Sequence, residues 1–148
     1  MVTINEILDF AIEREQEAVD FYNELSAKTD NAEIRKVFEQ FAREEMGHKA
    51  KLVNIKESGM FTLSSGKIED MKISDYVVNI EASADMTYHD ALILAMQKEK
   101  AAFKLYQNLS QRTMNNQLKD VFLALAQEEA KHKLRFEIEY DEYVLREN

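Results

Sequence analysis

The chain has 148 residues with 19 Lys and Arg against 28 Asp and Glu, and a formal net charge of −9 speaks against nucleic acid or an anionic membrane surface as partner. Proline and cysteine are absent and there are only three glycines, which favours long helices over sheets and rules out disulfides, iron–sulfur clusters and thiolate zinc sites made by this chain. The length suits one domain, residues 1–148; no apolar run approaches the roughly 18 residues of a membrane helix, and Met1-Val-Thr-Ile-Asn-Glu shows no secretory signal, so a cytoplasmic protein is expected.

Apolar spacing predicts four amphipathic helices. The first runs from about Thr3 to Lys28, with Thr3 and Glu6 forming a capping box. The second runs from about Asn31 to Glu57, with Asn31 as N-cap. A segment of about residues 58–86 follows, holding the turn signal Ser64-Ser65-Gly66 and the apolar piece Tyr76-Val77-Val78-Asn79-Ile80. It is too long for a tight helix–helix turn and predicts a crossover to the far end of the bundle. The third helix runs from about Thr87 to Arg112, and the fourth from about Asn115, another N-cap, to Glu147. The expected fold is all-α, a four-helix bundle of two hairpins, about 3–57 and 87–147, joined by that crossover.

The repeat is explicit. Residues 10–52 and 94–136 align without a gap at an offset of 84, with 15 identities in 43 positions, and these include Glu15/Glu99, Tyr22/Tyr106, Glu45/Glu129 and His48/His132. Each lies on a 3–4 spaced seam: Leu8, Ala11, Glu15, Ala18, Tyr22, Leu25 in the first helix and Leu92, Ala95, Glu99, Ala102, Tyr106, Leu109 in the third. The second reads Ile34, Phe38, Phe41, Glu45, His48, Leu52, Ile55; the fourth reads Leu118, Phe122, Leu125, Glu129, His132, Phe136. Glu13, Glu17, Glu44 and Glu128 fall off these seams and read as solvated faces; His89, outside the repeat's ligand positions, reads as exposed. Glu15 and Glu45 each lie about 20 Å from the turn they share, and Glu99 and Glu129 repeat that arithmetic, so all four come level near mid-bundle. This registry fits either direction of the third helix.

Four ionised carboxylates in a core are costly without compensation, and no Lys or Arg shares these seams near them. Two divalent cations would neutralise them, with His48 and His132 completing the shell. Glu-x-x-His places both side chains on one helix face, and two copies, each with a seam Glu on the partner helix, form the ferritin-like carboxylate constellation. The expected metal ligands are Glu15, Glu45, His48, Glu99, Glu129 and His132. An O₄N₂ donor set suits iron, with manganese as the other candidate. Tyr22 and Tyr106 share the seam two turns on; either is an amphipathic core residue or a donor that orients a ligand carboxylate of the opposite half.

These residues carry a family resemblance over nearly the whole chain. Ala11-Ile-Glu-Arg-Glu15-Gln-Glu-Ala18-Val-Asp-Phe21-Tyr22, Arg43-Glu-Glu45-Met-Gly-His48 and Gln127-Glu-Glu129-Ala-Lys-His132 resemble the diiron domain of the rubrerythrin family. The resemblance implies that Glu45 and Glu129 bridge two irons, Glu15 and Glu99 are terminal ligands, and His48 and His132 bind one iron each. Two features depart from that family. The rubredoxin domain's cysteines are missing, and Ala102 stands where the third helix commonly carries a further carboxylate. Bacterioferritin, the nearest rival, has its haem-ligating methionine after the first bridging Glu; Met46 sits there and reads as interface or surface packing, so no haem is expected.

The expected activity is reduction of peroxide, or of dioxygen, at the two-iron centre, with electrons from an external donor such as rubredoxin or a flavoprotein. The alternative is a ferroxidase or iron-storage role of bacterioferritin type, and a third reading, a substrate oxidase or hydroxylase, requires a pocket opening toward the metals. A homodimer is expected, with the crossover allowing helix pairs to swap between subunits.

Overall fold

The computed structural model describes residues 3–61, 71–78 and 86–147. Four helices account for most of them: α1 (Ile4–Lys28), α2 (Ala32–Ser58), α3 (Tyr88–Arg112) and α4 (Asn116–Glu147). A short 3₁₀ turn, Ile73–Tyr76, lies between α2 and α3. The Ser64-Ser65-Gly66 turn signal and the Asn79-Ile80 end of the apolar piece lie outside the described residues, as do Met1 and Val2.

Local chemistry sets the helix ends. Thr3 Oγ1 accepts from the Glu6 amide at 3.1 Å and donates to the Glu6 carboxylate at 3.2 Å. Thr87 caps α3 by accepting from the Asp90 amide. The two intra-hairpin turns are built alike: Asn31 Oδ1 accepts from the Glu33 and Ile34 amides, and Asn115 Oδ1 from those of Gln117 and Leu118. In each turn the Asn amide donates at 3.2 Å to the threonine two residues earlier, Thr29 or Thr113. Two short polar side chains thus satisfy the free amides of each helix start. Gly59 ends α2 at φ 66°, a left-handed conformation that a Cβ would strain.

Packing settles the direction of α3. One apolar cluster joins the start of α1 (Ile7, Leu8, Ala11) and the end of α2 (Leu52, Ile55) to the end of α3 (Leu105, Leu109) and the start of α4 (Leu118, Phe122). The other joins the end of α1 (Tyr22, Leu25) and the start of α2 (Ile34, Phe38) to the start of α3 (Leu92, Ala95) and to Phe136 of α4. Helices α1 and α3 are therefore antiparallel, so the chain must travel the length of the bundle between α2 and α3. The described part of that crossover makes the journey: Met71 and Tyr76 are buried in the first cluster, while Val78 packs against the second. Within each hairpin the helices pack tightly, whereas α1 and α3 touch only lightly. The expected seams are buried, except that Phe41 and Ala102 are partly exposed.

Candidate metal centre

Between the two apolar clusters lies a polar layer. Glu15, Glu45, Glu99 and Glu129 are 1–2 % exposed, and His48 and His132 are each 2 % exposed. Each comes from mid-helix, where the equal hairpin registers bring the carboxylates level. Two groups of ligand-type atoms form there, Glu15, Glu45, His48 and Glu129 in one and Glu45, Glu99, Glu129 and His132 in the other; within each, the atoms lie within 4.8 Å of one another. Glu45 and Glu129 belong to both groups. The two imidazoles face each other at 6.4 Å between centroids, 12° from parallel.

One buried atom on each of the six side chains makes no well-directed hydrogen bond: Glu15 Oε2, Glu45 Oε1, His48 Nδ1, Glu99 Oε2, Glu129 Oε1 and His132 Nδ1. Their companion atoms supply the reason for the orientation. Tyr22 Oη donates to Glu99 Oε1, and Tyr106 Oη donates to Glu15 Oε1, each reaching across from the other half of the repeat. The outer ring nitrogens are held as well, His48 Nε2 by Glu128 and His132 Nε2 by Glu44 at 2.6 Å. A carboxylate at Nε2 holds a proton there, so that once Nδ1 gives up its own proton to a metal the lone pair faces inward, the arrangement a metal-ligating histidine needs.

This corrects the reading of Glu44 and Glu128 as solvated faces. Their side chains are 38 % and 43 % exposed, yet each carboxylate reaches over the edge of its own seam to the histidine of the opposite hairpin. Seam spacing marks only the strip pointing at the bundle axis, whereas residues beside the strip face the next helix. The signal was present, since Glu44 and Glu128 are identical in the repeat. Glu13 is well solvated; Glu17 is half-exposed and binds Arg14 at 2.7 Å. His89 is not freely exposed either, because its Nε2 meets the Tyr140 hydroxyl at 2.8 Å. Met46 is 45 % exposed on α2.

The electrostatics show what the layer lacks. His48 Nδ1 lies 2.9 Å from Glu129 Oε1 and 3.2 Å from Glu45 Oε1, and His132 Nδ1 lies 3.4 Å from Glu45 Oε1 and 3.5 Å from Glu99 Oε1. Burial and the Glu45 charge push Glu15 up to about 8 and raise Glu99 and Glu129. Burial works against charged imidazoles too, but the neighbouring carboxylates outweigh it and push His48 up to about 11 and His132 to about 10. Glu45 is also raised by burial, and the two histidines overcome that and hold it below the usual range. Protons are therefore retained where cations would otherwise balance the charge. Four carboxylates, two neutral-capable imidazoles and six inward ligand atoms fit a pair of iron or manganese ions.

A cavity of about 60 Å³ opens between α1 and α3 onto this layer, touching Glu15, Glu45, Glu99 and Glu129. Ala18 and Ala102, repeat equivalents, form part of its wall, and Tyr76 and Val78 of the crossover lie over it. Arg14 and Lys98 stand at the cavity with Glu17. Ala102 marks the position at which the resemblance calls for a further carboxylate; here the cavity takes that space.

The fold and the buried Glu/His layer define a ferritin-like diiron-carboxylate class. The sequence profile of the Rubrerythrin family matches residues 6–89 and 90–148, and the chain belongs to that family. Two solved structures share the fold. A putative ferritin-like diiron-carboxylate protein from Thermotoga maritima aligns with a TM-score of 0.81 at 23 % identity, covering 96 % of this chain and 97 % of its own. A hypothetical protein from Pyrococcus furiosus aligns with a TM-score of 0.75 at 21 % identity, covering 94 % and 89 %. No curated protein sequence matches the chain. No described helix is long and apolar enough to cross a membrane.

Proposed function

We propose that this chain is a non-haem diiron redox protein that reduces hydrogen peroxide, and more slowly dioxygen, with electrons delivered by a separate rubredoxin or flavoprotein. The observation that carries the reading is the small cavity ending on the four glutamates of the layer, each with an inward-facing ligand atom. Glu15 and His48 would hold one ion, Glu99 and His132 the other, and Glu45 and Glu129 would bridge them. When bound, the ion pair supplies the two electrons that a peroxide needs to become two waters, one from each ion.

The chain's own residues do the remaining work. Tyr22 and Tyr106 hold the terminal carboxylates in place, and burial raises both phenols so that they remain protonated donors at neutral pH. The two protons consumed per peroxide come from bulk water. Glu44 and Glu128 keep the imidazoles in the ligating tautomer. The cavity decides substrate size. At about 60 Å³ it admits a peroxide-sized molecule and is less than half the roughly 150 Å³ of an engineered cavity that binds benzene. That favours peroxide chemistry over hydroxylation of an organic substrate.

Anaerobic loading with ferrous iron followed by stopped-flow mixing with peroxide tests the reading. Two irons per chain and rapid oxidation, followed by donor-dependent turnover, are expected. Oxidation by peroxide no faster than by dioxygen, or uptake of many irons per chain, would replace it with iron handling.

A further inference from the structure

The outer face of α4 presents large apolar side chains to water: Leu123 is 40 % exposed, Leu134 57 %, Ile138 39 % and Leu145 75 %. Ala130, partly exposed, lies on the same line, as do the exposed Gln127 and Asp141. At 3.6 residues per turn these seven positions stay within about 40° of one line, opposite the buried Leu125, Glu129, His132 and Phe136. From Leu123 to Leu145 the spacing is 4, 3, 4, 4, 3, 4, which reads the same from either end. The chemistry is palindromic too. Leu134 is the centre, Ala130 and Ile138 lie four residues to either side, polar Gln127 and Asp141 seven, and Leu123 and Leu145 eleven.

A line that is unchanged by reversal is complementary to itself about a twofold axis, as an isologous interface requires. The stripe is not inherited from the repeat, because the equivalent positions 39, 46, 50 and 54 on α2 are Glu39, Met46, Ala50 and Asn54. We propose that α4 is the interface of a homodimer, packing antiparallel against α4 of a second copy with the twofold axis at Leu134. The contact line is about 33 Å long. On one flank, Lys133 and Glu137, bonded at 2.5 Å within the chain, meet their own copies in reverse order, lysine toward glutamate. On the other, Lys131 and Arg135 face basic side chains, a repulsion that stays in water and that salt screens. The stripe points away from the rest of the bundle and the cavity opens between α1 and α3, so both copies keep their cavities open.

The absence of cysteine makes the test direct. Wild-type protein at tens of micromolar should sediment at about twice 17.3 kDa. Leu134→Glu should weaken the dimer by about a hundredfold or more, with unchanged helicity by circular dichroism because the site is exposed in the monomer. Under mild oxidation Leu134→Cys should link to its own copy. Leu123→Cys alone should not, since an antiparallel pair sets those positions about 33 Å apart, but a mixture of Leu123→Cys and Leu145→Cys chains should link. A wild-type monomer at these concentrations, a dimer undiminished by Leu134→Glu, or self-linking of Leu123→Cys as fast as of Leu134→Cys would each overturn the proposal.

Discussion

The two hairpins are nearly interchangeable at mid-bundle and in their turns, and differ at several packing positions. Both present Glu, Glu-x-x-His, a tyrosine that reaches the opposite half, and a glutamate that holds the opposite histidine. At several positions away from that layer the equivalence fails. Ile55 is buried in an apolar cluster, while its repeat partner Glu139 is 1 % exposed and bonded to Arg146 at 2.9 Å. Phe41 stacks on His132 at 4.0 Å, whereas its partner position holds Leu125. Gly47 on α2 corresponds to Lys131 on α4. Similarity thus persists where side chains from both halves must meet one another and in the turns, while several packing positions, which each half can satisfy separately, have drifted.

The strongest test of the equivalence targets residues shared by both groups. Glu45→Ala or Glu129→Ala removes an oxygen from each group and should abolish binding of both ions, while Glu15→Ala or Glu99→Ala should leave one ion in place; metal analysis after dialysis distinguishes them. Unequal losses from Glu45→Ala and Glu129→Ala would show that the halves are not equivalent in function.

Protonation gives the next largest effect. Glu15, His48 and His132 are raised in the metal-free fold, so their stabilisation is full below their unfolded values and is lost as pH rises through about 8, 11 and 10. Glu45 is lowered, and its contribution is lost instead as pH falls below the ordinary carboxylate value. The metal-free protein should therefore melt lower at pH 9 than at pH 5, by about 5 °C or more, while metal binding tightens over the same range because protons are displaced. Calorimetry in buffers of different ionisation enthalpy would count those protons. Binding that releases none would contradict the assignment of these groups as ligands.

Glu44→Gln and Glu128→Gln keep the shape but weaken the hold on each histidine, and each should lower metal affinity by about 10–100-fold in equilibrium competition with a chelator. Glu139→Ile copies into the second hairpin what Ile55 does in the first. Glu139 Oε2 is buried without a partner, so the change should be neutral or stabilising by roughly 1–3 kcal/mol in denaturant unfolding. A marked loss would mean that the carboxylate is required beside Tyr88, whose phenol is raised by burial and then by the Glu139 charge. Smallest of all, Gly47→Ala should add about 0.5–1 kcal/mol, since nothing lies within 4 Å of the new methyl group.

Much of this was legible in the linear chain. Seam periodicity and the repeat located the helices to within a residue or so, and picked out the six inward side chains, because a residue's face on a helix follows from its position in the sequence alone. The palindromic line on α4 was just as available to that arithmetic, but an apolar residue off the core seam looks ordinary until its exposure is known. The α4 seam continues past Phe136 through Glu139, where polarity looks like a helix surfacing although the carboxylate is buried and paired with the half-exposed Arg146.

Contacts between helices were a different matter. The sequence determined which residues point at the bundle axis and that their charges need compensation, because both depend on helical periodicity and on the cost of burying like charges. The length of the 58–86 segment pointed to the crossover that sets α3 antiparallel to α1, and only the tertiary structure decided that Glu44 and Glu128 reach the opposite histidines and that a small cavity opens between α1 and α3. Those depend on distances between helices joined by many residues of chain, and no spacing within one helix encodes them.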